Sequence, residues 1–236
     1  SDWLQKNAPQ PGPNFIEQSH MYKVAQEAAQ QVTKQIADSP AQYIVDKGLN
    51  GAKPLQNPAD PKDMAATLRV REAGLNNLRQ NWGAAPEVFT KDELERVQSV
   101  MESSNSRTII GMLSGIRSAF ADPRYYNAAV AQLAVKNPTI GYAGDLIQQN
   151  GLVNGEDAST IARKILDGSA ALGGKSLNDP EVGGKRPFQL DDKTFRAAFA
   201  NVAGNAFMGP DGKQAAAYAE QVYTNVRAYA VGDAVQ

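Results

Sequence analysis

Four prolines in this chain stand directly behind a residue that can cap a helix: Ser39-Pro40, Asp60-Pro61, Asp122-Pro123 and Asn137-Pro138. A side-chain oxygen at that position accepts from free backbone N–H groups of the first turn. Proline in the next position loses nothing, because its missing N–H has no helical partner there. Thr90-Lys91-Asp92-Glu93 adds a capping box, in which the first and last side chains each satisfy the other's backbone donor. These signals divide the chain into helix-length pieces and leave little room for a sheet.

The apolar residues between the stops repeat with a helical period. Leu94, Val97 and Met101 share one face, as do Ile109, Leu113, Ile116 and Phe120 in the next segment. Tyr126, Ala129, Val130 and Leu133 follow, then Ile161, Ile165 and Leu166. Phe195, Phe199 and Val202 form a further stripe, and Tyr218, Val222, Val226 and Tyr229 the last. Each stripe covers part of its helix, so each helix must bury one side against a neighbour. Short connections such as Ser103 to Ser106 favour antiparallel packing of adjacent helices. Tyr43-Ile44-Val45 is the best strand candidate and is too short to build a sheet. No fixed-period repeat and no sustained heptad stands out, which argues against a solenoid or a long coiled coil.

The expected fold is therefore all-α, an irregular multi-helix bundle. Residues 1–60 read as an N-terminal helical segment and linker, separable from a main bundle at 61–236. Gly48, Gly51, Pro54, Pro58 and Pro61 mark the linker, and Pro11-Gly12-Pro13 closes an extended start. Residues 173–188 carry two Gly-Gly-Lys units with Pro180 and Pro187, and read as a long exposed loop.

Composition narrows the chemistry. With 24 Lys and Arg against 25 Asp and Glu, the net charge of −1 gives no electrostatic reason to expect nucleic acid. The absence of cysteine removes disulfides, thiol nucleophiles and thiolate metal sites. No apolar run approaches the ~20 residues of a membrane-spanning helix. The start, Ser1-Asp2-Trp3, lacks an initiator Met and the order of a secretory signal, and reads as the edge of a longer or processed chain.

Individual motifs have structural explanations. His20 is the one histidine; with no second histidine and no Gly-x-Ser-x-Gly elbow, it is expected to be structural or exposed. Gly173-Gly174-Lys175-Ser176 evokes a phosphate loop, but position 169 is Ser and the unit follows a helix, so it reads as a helix stop. Glu102-Ser103 at a helix end has the form of the catalytic acid of lytic transglycosylases, which must be partly buried to protonate a glycosidic oxygen. The stretch Gly111–Gly115 downstream lacks the glutamine of that family and shows core periodicity, so Glu102 is expected to be solvated. Lys175, Lys185 and Arg186 with Phe188 make the 173–188 loop locally basic, a candidate binding surface for phosphate or an acidic partner, with a solvated loop as the favoured reading. Tyr125, Tyr126, Tyr218, Tyr223 and Tyr229 fall at helical spacing and read as packing residues.

From about residue 86 to 232 the order of motifs resembles a known family. It runs through Phe89-Thr90-Lys91-Asp92-Glu93-Leu94, Ile110-Gly111-Met112-Leu113-Ser114-Gly115-Ile116 and Ala121-Asp122-Pro123-Arg124-Tyr125-Tyr126. Leu133-Ala134-Val135-Lys136-Asn137-Pro138, Ala143-Gly144-Asp145-Leu146-Ile147 and Ala162–Gly168 follow, then Phe199–Phe207 and Val226-Arg227-Ala228-Tyr229. This resembles a helical region of large bacteriophage and prophage internal virion proteins, of the DNA-ejection kind, which often carry a lytic transglycosylase domain elsewhere in the chain. The resemblance implies a non-enzymatic structural module, found in the virion and delivered to the host envelope, made in the bacterial cytoplasm. It implies no cofactor and no metal, and partners that are other virion proteins or further copies of the chain. It transfers no catalytic residue. Two alternatives stand beside it: a divergent peptidoglycan lytic enzyme using Glu102, and a host-directed protein-binding module using the 173–188 loop.

Overall fold

A computed structural model describes residues 2–179, 181–182, 191–204 and 212–235, with the side chains of residues 2 and 212–215 outside the description. The described chain is all-α, with eleven helices and one two-strand hairpin. The helices are α1 (Asp2–Lys6), α2 (Phe15–Asp38), α3 (Pro40–Asp46), α4 (Pro61–Trp82), α5 (Lys91–Ser103) and α6 (Ser106–Ala119). Then come α7 (Pro123–Ala134), α8 (Pro138–Gln149), α9 (Ala158–Leu172), α10 (Asp192–Ala203) and α11 (Gly212–Val235).

The proline-marked starts are where the helices begin. The Asp60, Asp122 and Asn137 side chains accept from the N–H groups of Lys62, Arg124 and Thr139. Ser39 precedes α3 without making that bond. Both arms of the capping box are present: Glu93 N donates to Thr90 Oγ1, and Thr90 N to a Glu93 carboxylate oxygen. Gly83 and Gly173 end α4 and α9 in the left-handed conformation.

One continuous core joins α3, α4 and the helices from α5 to α9, and α11 adds Ala228 and Val231 to it. The stripes Val97–Met101, Ile109–Ile116, Tyr126–Leu133 and Ile165–Leu166 are buried as their periodicity required. α4 lies along α6, α8 along α7 and α9, and α9 against α11, which is the most extensive helix pair. Glycine sets how closely two of these pairs approach. A Cβ at Gly115 would lie 2.6 Å from the carbonyl oxygen of Pro61, at the start of α4. A Cβ at Gly168 would lie 1.8 Å from Ala228 O, and one at Gly232 1.8 Å from Lys164 O. α9 and α11 therefore cross backbone to backbone through one glycine from each.

Several expectations change. Tyr43-Ile44-Val45 lies inside helix α3, where Ile44 is fully buried against Gly74 of α4. The strands are Leu152–Val153 and Glu156–Asp157, joined by Asn154-Gly155 with both residues at positive φ. Within residues 48–61, read as a linker, Ala52 and Leu55 are buried in the common core. In the 173–188 loop the described residues Gly173, Gly174, Ser176, Asn178 and Glu181 are exposed, while Leu177 and Val182 are fully buried. The stripe on α11 is rotated. Tyr218 and Val226 are exposed, while Tyr223, Asn225, Ala228 and Val231 face inward, on the side of α11 where Gly232 meets α9. Val202 on α10 is 89% exposed.

Candidate interaction surface

α2 is where the body leaves a helix largely without a partner. It has 24 residues, which at 1.5 Å per residue makes a rod of about 36 Å. Only Ile36 in it is buried, and Val32 packs beside Ile36 against the core. Toward the other end Phe15, Ile16, Met21 and Val24 are exposed, and α1 leans on the helix near its start. The docked residues belong to a longer series. Phe15, Gln18, Tyr22, Ala25, Ala29, Val32 and Ile36 alternate spacings of four and three, the a/d pattern of a helix seam. Alanine and glutamine occupy three of those seven places, so apolar residues alone do not display the pattern.

The charges of α2 follow the same register. Glu17, His20, Lys23, Glu27, Lys34 and Asp38 all fall at positions b, c or f, away from the seam. Its flanking e and g positions hold Ser19, Met21, Gln26, Ala28, Thr33 and Gln35, all neutral. The ion pair Lys23–Glu27 runs along the outer surface at 4.0 Å.

The body to which α2 is anchored is tied by a buried ion pair. Arg71 and Glu93, both essentially inaccessible to solvent, meet in two parallel bonds of 2.7 and 2.6 Å. Glu93 also accepts from Leu55 N at 2.6 Å and Thr90 N at 3.0 Å. Arg71 donates to Lys53 O at 2.7 Å and Val88 O at 3.2 Å. Burial alone would raise the Glu93 carboxyl; the Arg71 guanidinium and the two backbone donors outweigh it and hold the pKa below its usual value. Thus α4, α5 and the 53–55 and 88–90 segments share one polar knot. Gln132 extends it, accepting from Val88 N and Phe89 N.

A second cluster joins α9, the hairpin and α11. Lys164 Nζ lies 2.7 Å from Glu156 and 2.6 Å from Asp233, and the Tyr229 hydroxyl donates to Glu156 at 2.6 Å. Asp233 first and Glu156 next stabilise the ammonium and raise its pKa, so this lysine is a paired cation rather than a nucleophile. Beside it a cavity of about 320 Å³ is walled by Tyr142, Val153, Ile161, Ile165 and Asn225. The Asn225 side-chain nitrogen there is buried with no hydrogen-bond partner among the described residues. A larger groove of about 460 Å³ has Arg117, Ser114 and Gln148 on its walls, beside Tyr126, whose hydroxyl donates to Gly144 O. Ser118 lines it too, so one cation and four neutral polar groups face this groove, an arrangement that can attract an anion.

Lys175 pairs with Glu181, and its carbonyl accepts from Arg227 at 2.6 Å, so it serves the α9–α11 packing. Lys185, Arg186 and Phe188 lie outside the described residues. Glu102 is exposed at the end of α5, and His20 is exposed on α2. Among the described residues, no group of three or more His, Asp or Glu is placed to hold a metal ion. No described helix is long and apolar enough to cross a membrane. Comparison with protein-family models, with curated proteins and with solved structures found no match to this chain.

Proposed function

We propose that this chain is a structural module of a phage or prophage virion protein, held inside the particle and released toward the host envelope during genome delivery. It works by protein–protein contact. The observation that carries this reading is α2, a long helix anchored at one end by Val32 and Ile36, with Tyr22, Ala25 and Ala29 only half-buried and Phe15, Ile16, Met21 and Val24 exposed. The motif order from about residue 86 onward supplies the virion context. The fold supports it physically: among the described residues each helix closes its backbone hydrogen bonds within itself, and the one sheet has two-residue strands. Such a chain can lose and regain structure during passage without rebuilding long-range strand pairings.

Mass spectrometry of purified particles, before and after triggered genome release, tests the proposal. The chain is expected in intact particles and depleted after release. Its absence from intact particles would overturn the proposal. Retention after release would overturn the ejection step and leave a fixed structural part.

A further inference from the structure

We propose that α2 is a self-association helix, and that its partner is the α2 of a second copy, paired antiparallel along Phe15, Gln18, Tyr22, Ala25, Ala29 and Val32. This rests on the reading of the chain as a structural module and names the partner of that surface.

Three observations select this occupant. The seam continues, in unbroken register, the stripe by which Val32 and Ile36 already pack on the body, so its geometry is that of a packing face. Coiled-coil partners are chosen by charges at e and g. Here those positions are neutral, and all six acidic and basic side chains of α2 fall elsewhere in the register. A different chain would find no charge to recognise, whereas a second copy meets no like charge. The sizes are also self-complementary. With a two-fold axis between Tyr22 and Ala25, antiparallel pairing sets Tyr22 against Ala25 and Gln18 against Ala29, and brings Phe15 to the exposed part of the other copy's Val32, which is half-buried on its own body. Each layer then joins a larger residue to a smaller one, and the two bodies sit at opposite ends of the rod.

Ten seam and flanking residues per copy bury on the order of 1,000 Å² in total, the lower bound of a specific interface, so the dimer forms reversibly at micromolar concentration. Sedimentation velocity of the full chain over a wide concentration range reads this directly. A monomer–dimer equilibrium is expected. Ala25→Glu places carboxylates against the seam and weakens dimerisation by ~100-fold or more, while the helical circular-dichroism signal is retained, since glutamate is a good helix former. Combining Ala25→Glu with Tyr22→Lys sets opposite charges across both equivalent layers and restores the dimer.

A chain that stays monomeric throughout, or a dimer indifferent to Ala25→Glu, overturns the proposal. Loss without rescue overturns the antiparallel layers. A monomer leaves the virion reading standing, and absence from particles leaves the pairing standing, so the two failures are distinguishable.

Discussion

Replacing Arg71 by methionine keeps most of the side-chain volume and removes the guanidinium. Four bonds go with it: two to Glu93, and one each to the carbonyls of Lys53 and Val88. What remains is a buried carboxylate held by the N–H groups of Leu55 and Thr90, with two carbonyls unpaired. Breaking one side of a buried pair costs about 3–5 kcal/mol; the two surviving donors place this case near the lower end. The penalty must depend on pH. Without the guanidinium, burial raises the Glu93 pKa, and protonation then neutralises the stranded charge. The variant is therefore expected to lose about 3 kcal/mol at pH 7.5 and less at pH 5. In the unaltered protein the sign is reversed. The lowered Glu93 pKa contributes stability above the unfolded value near 4.5, and that contribution is lost as pH falls through the folded value. Urea unfolding followed by circular dichroism at both pH values measures the difference. A loss below about 1 kcal/mol at pH 7.5, or a penalty that grows on acidification, would refute the reasoning.

Further substitutions probe separate contacts. Gly168→Ala drives a methyl into Ala228 O and is expected to cost about 3 kcal/mol by thermal unfolding; a neutral result would contradict the backbone crossing of α9 and α11. Glu87 is raised by burial to about 7, so its contribution is complete below the unfolded pKa and falls away as pH rises through 7. Glu87→Gln should gain about 1 kcal/mol at pH 8, after solvent screening, and nothing at pH 4. Tyr126→Phe leaves Gly144 O without its buried donor, a loss of about 1–2 kcal/mol in the same assay. Glu102→Gln should leave stability within about 0.5 kcal/mol, because the side chain is exposed at a helix end.

The helix starts were legible because capping is local: an acceptor, a proline and the first turn all lie within four residues. What depends on distant partners was not. Nothing around Arg71 marks it as buried; it looks like any exposed helical arginine until Glu93 arrives from α5. Glu93 was readable as a capping residue but not as the anchor of Leu55, which lies in the 48–61 stretch that reads as a linker. Glycine misled in another way. Gly168 and Gly232 look like weak points in helices, yet they decide which face of α11 turns inward, and a stripe judged by bulk alone selects Tyr218 and Val226. The hairpin did carry a signal, since Asn-Gly suits two residues at positive φ between short strands. Tyr43-Ile44-Val45 had strand propensity, and burial of Ile44 within a helix overrode it. The α2 seam stayed hidden because its core positions include Gln18, Ala25 and Ala29.

Amide hydrogen exchange read peptide by peptide tests most directly whether the chain is a packed body carrying an uncovered arm. In dilute protein the amides of residues 18–29 should exchange close to the rate of an isolated helix, while those of α4, α6, α9 and α11 open only with global unfolding. In concentrated protein the arm should gain protection and the body should not change. Slow exchange of residues 18–29 at high dilution would mean that the chain covers this helix itself, and the account of α2 as its working surface would be wrong.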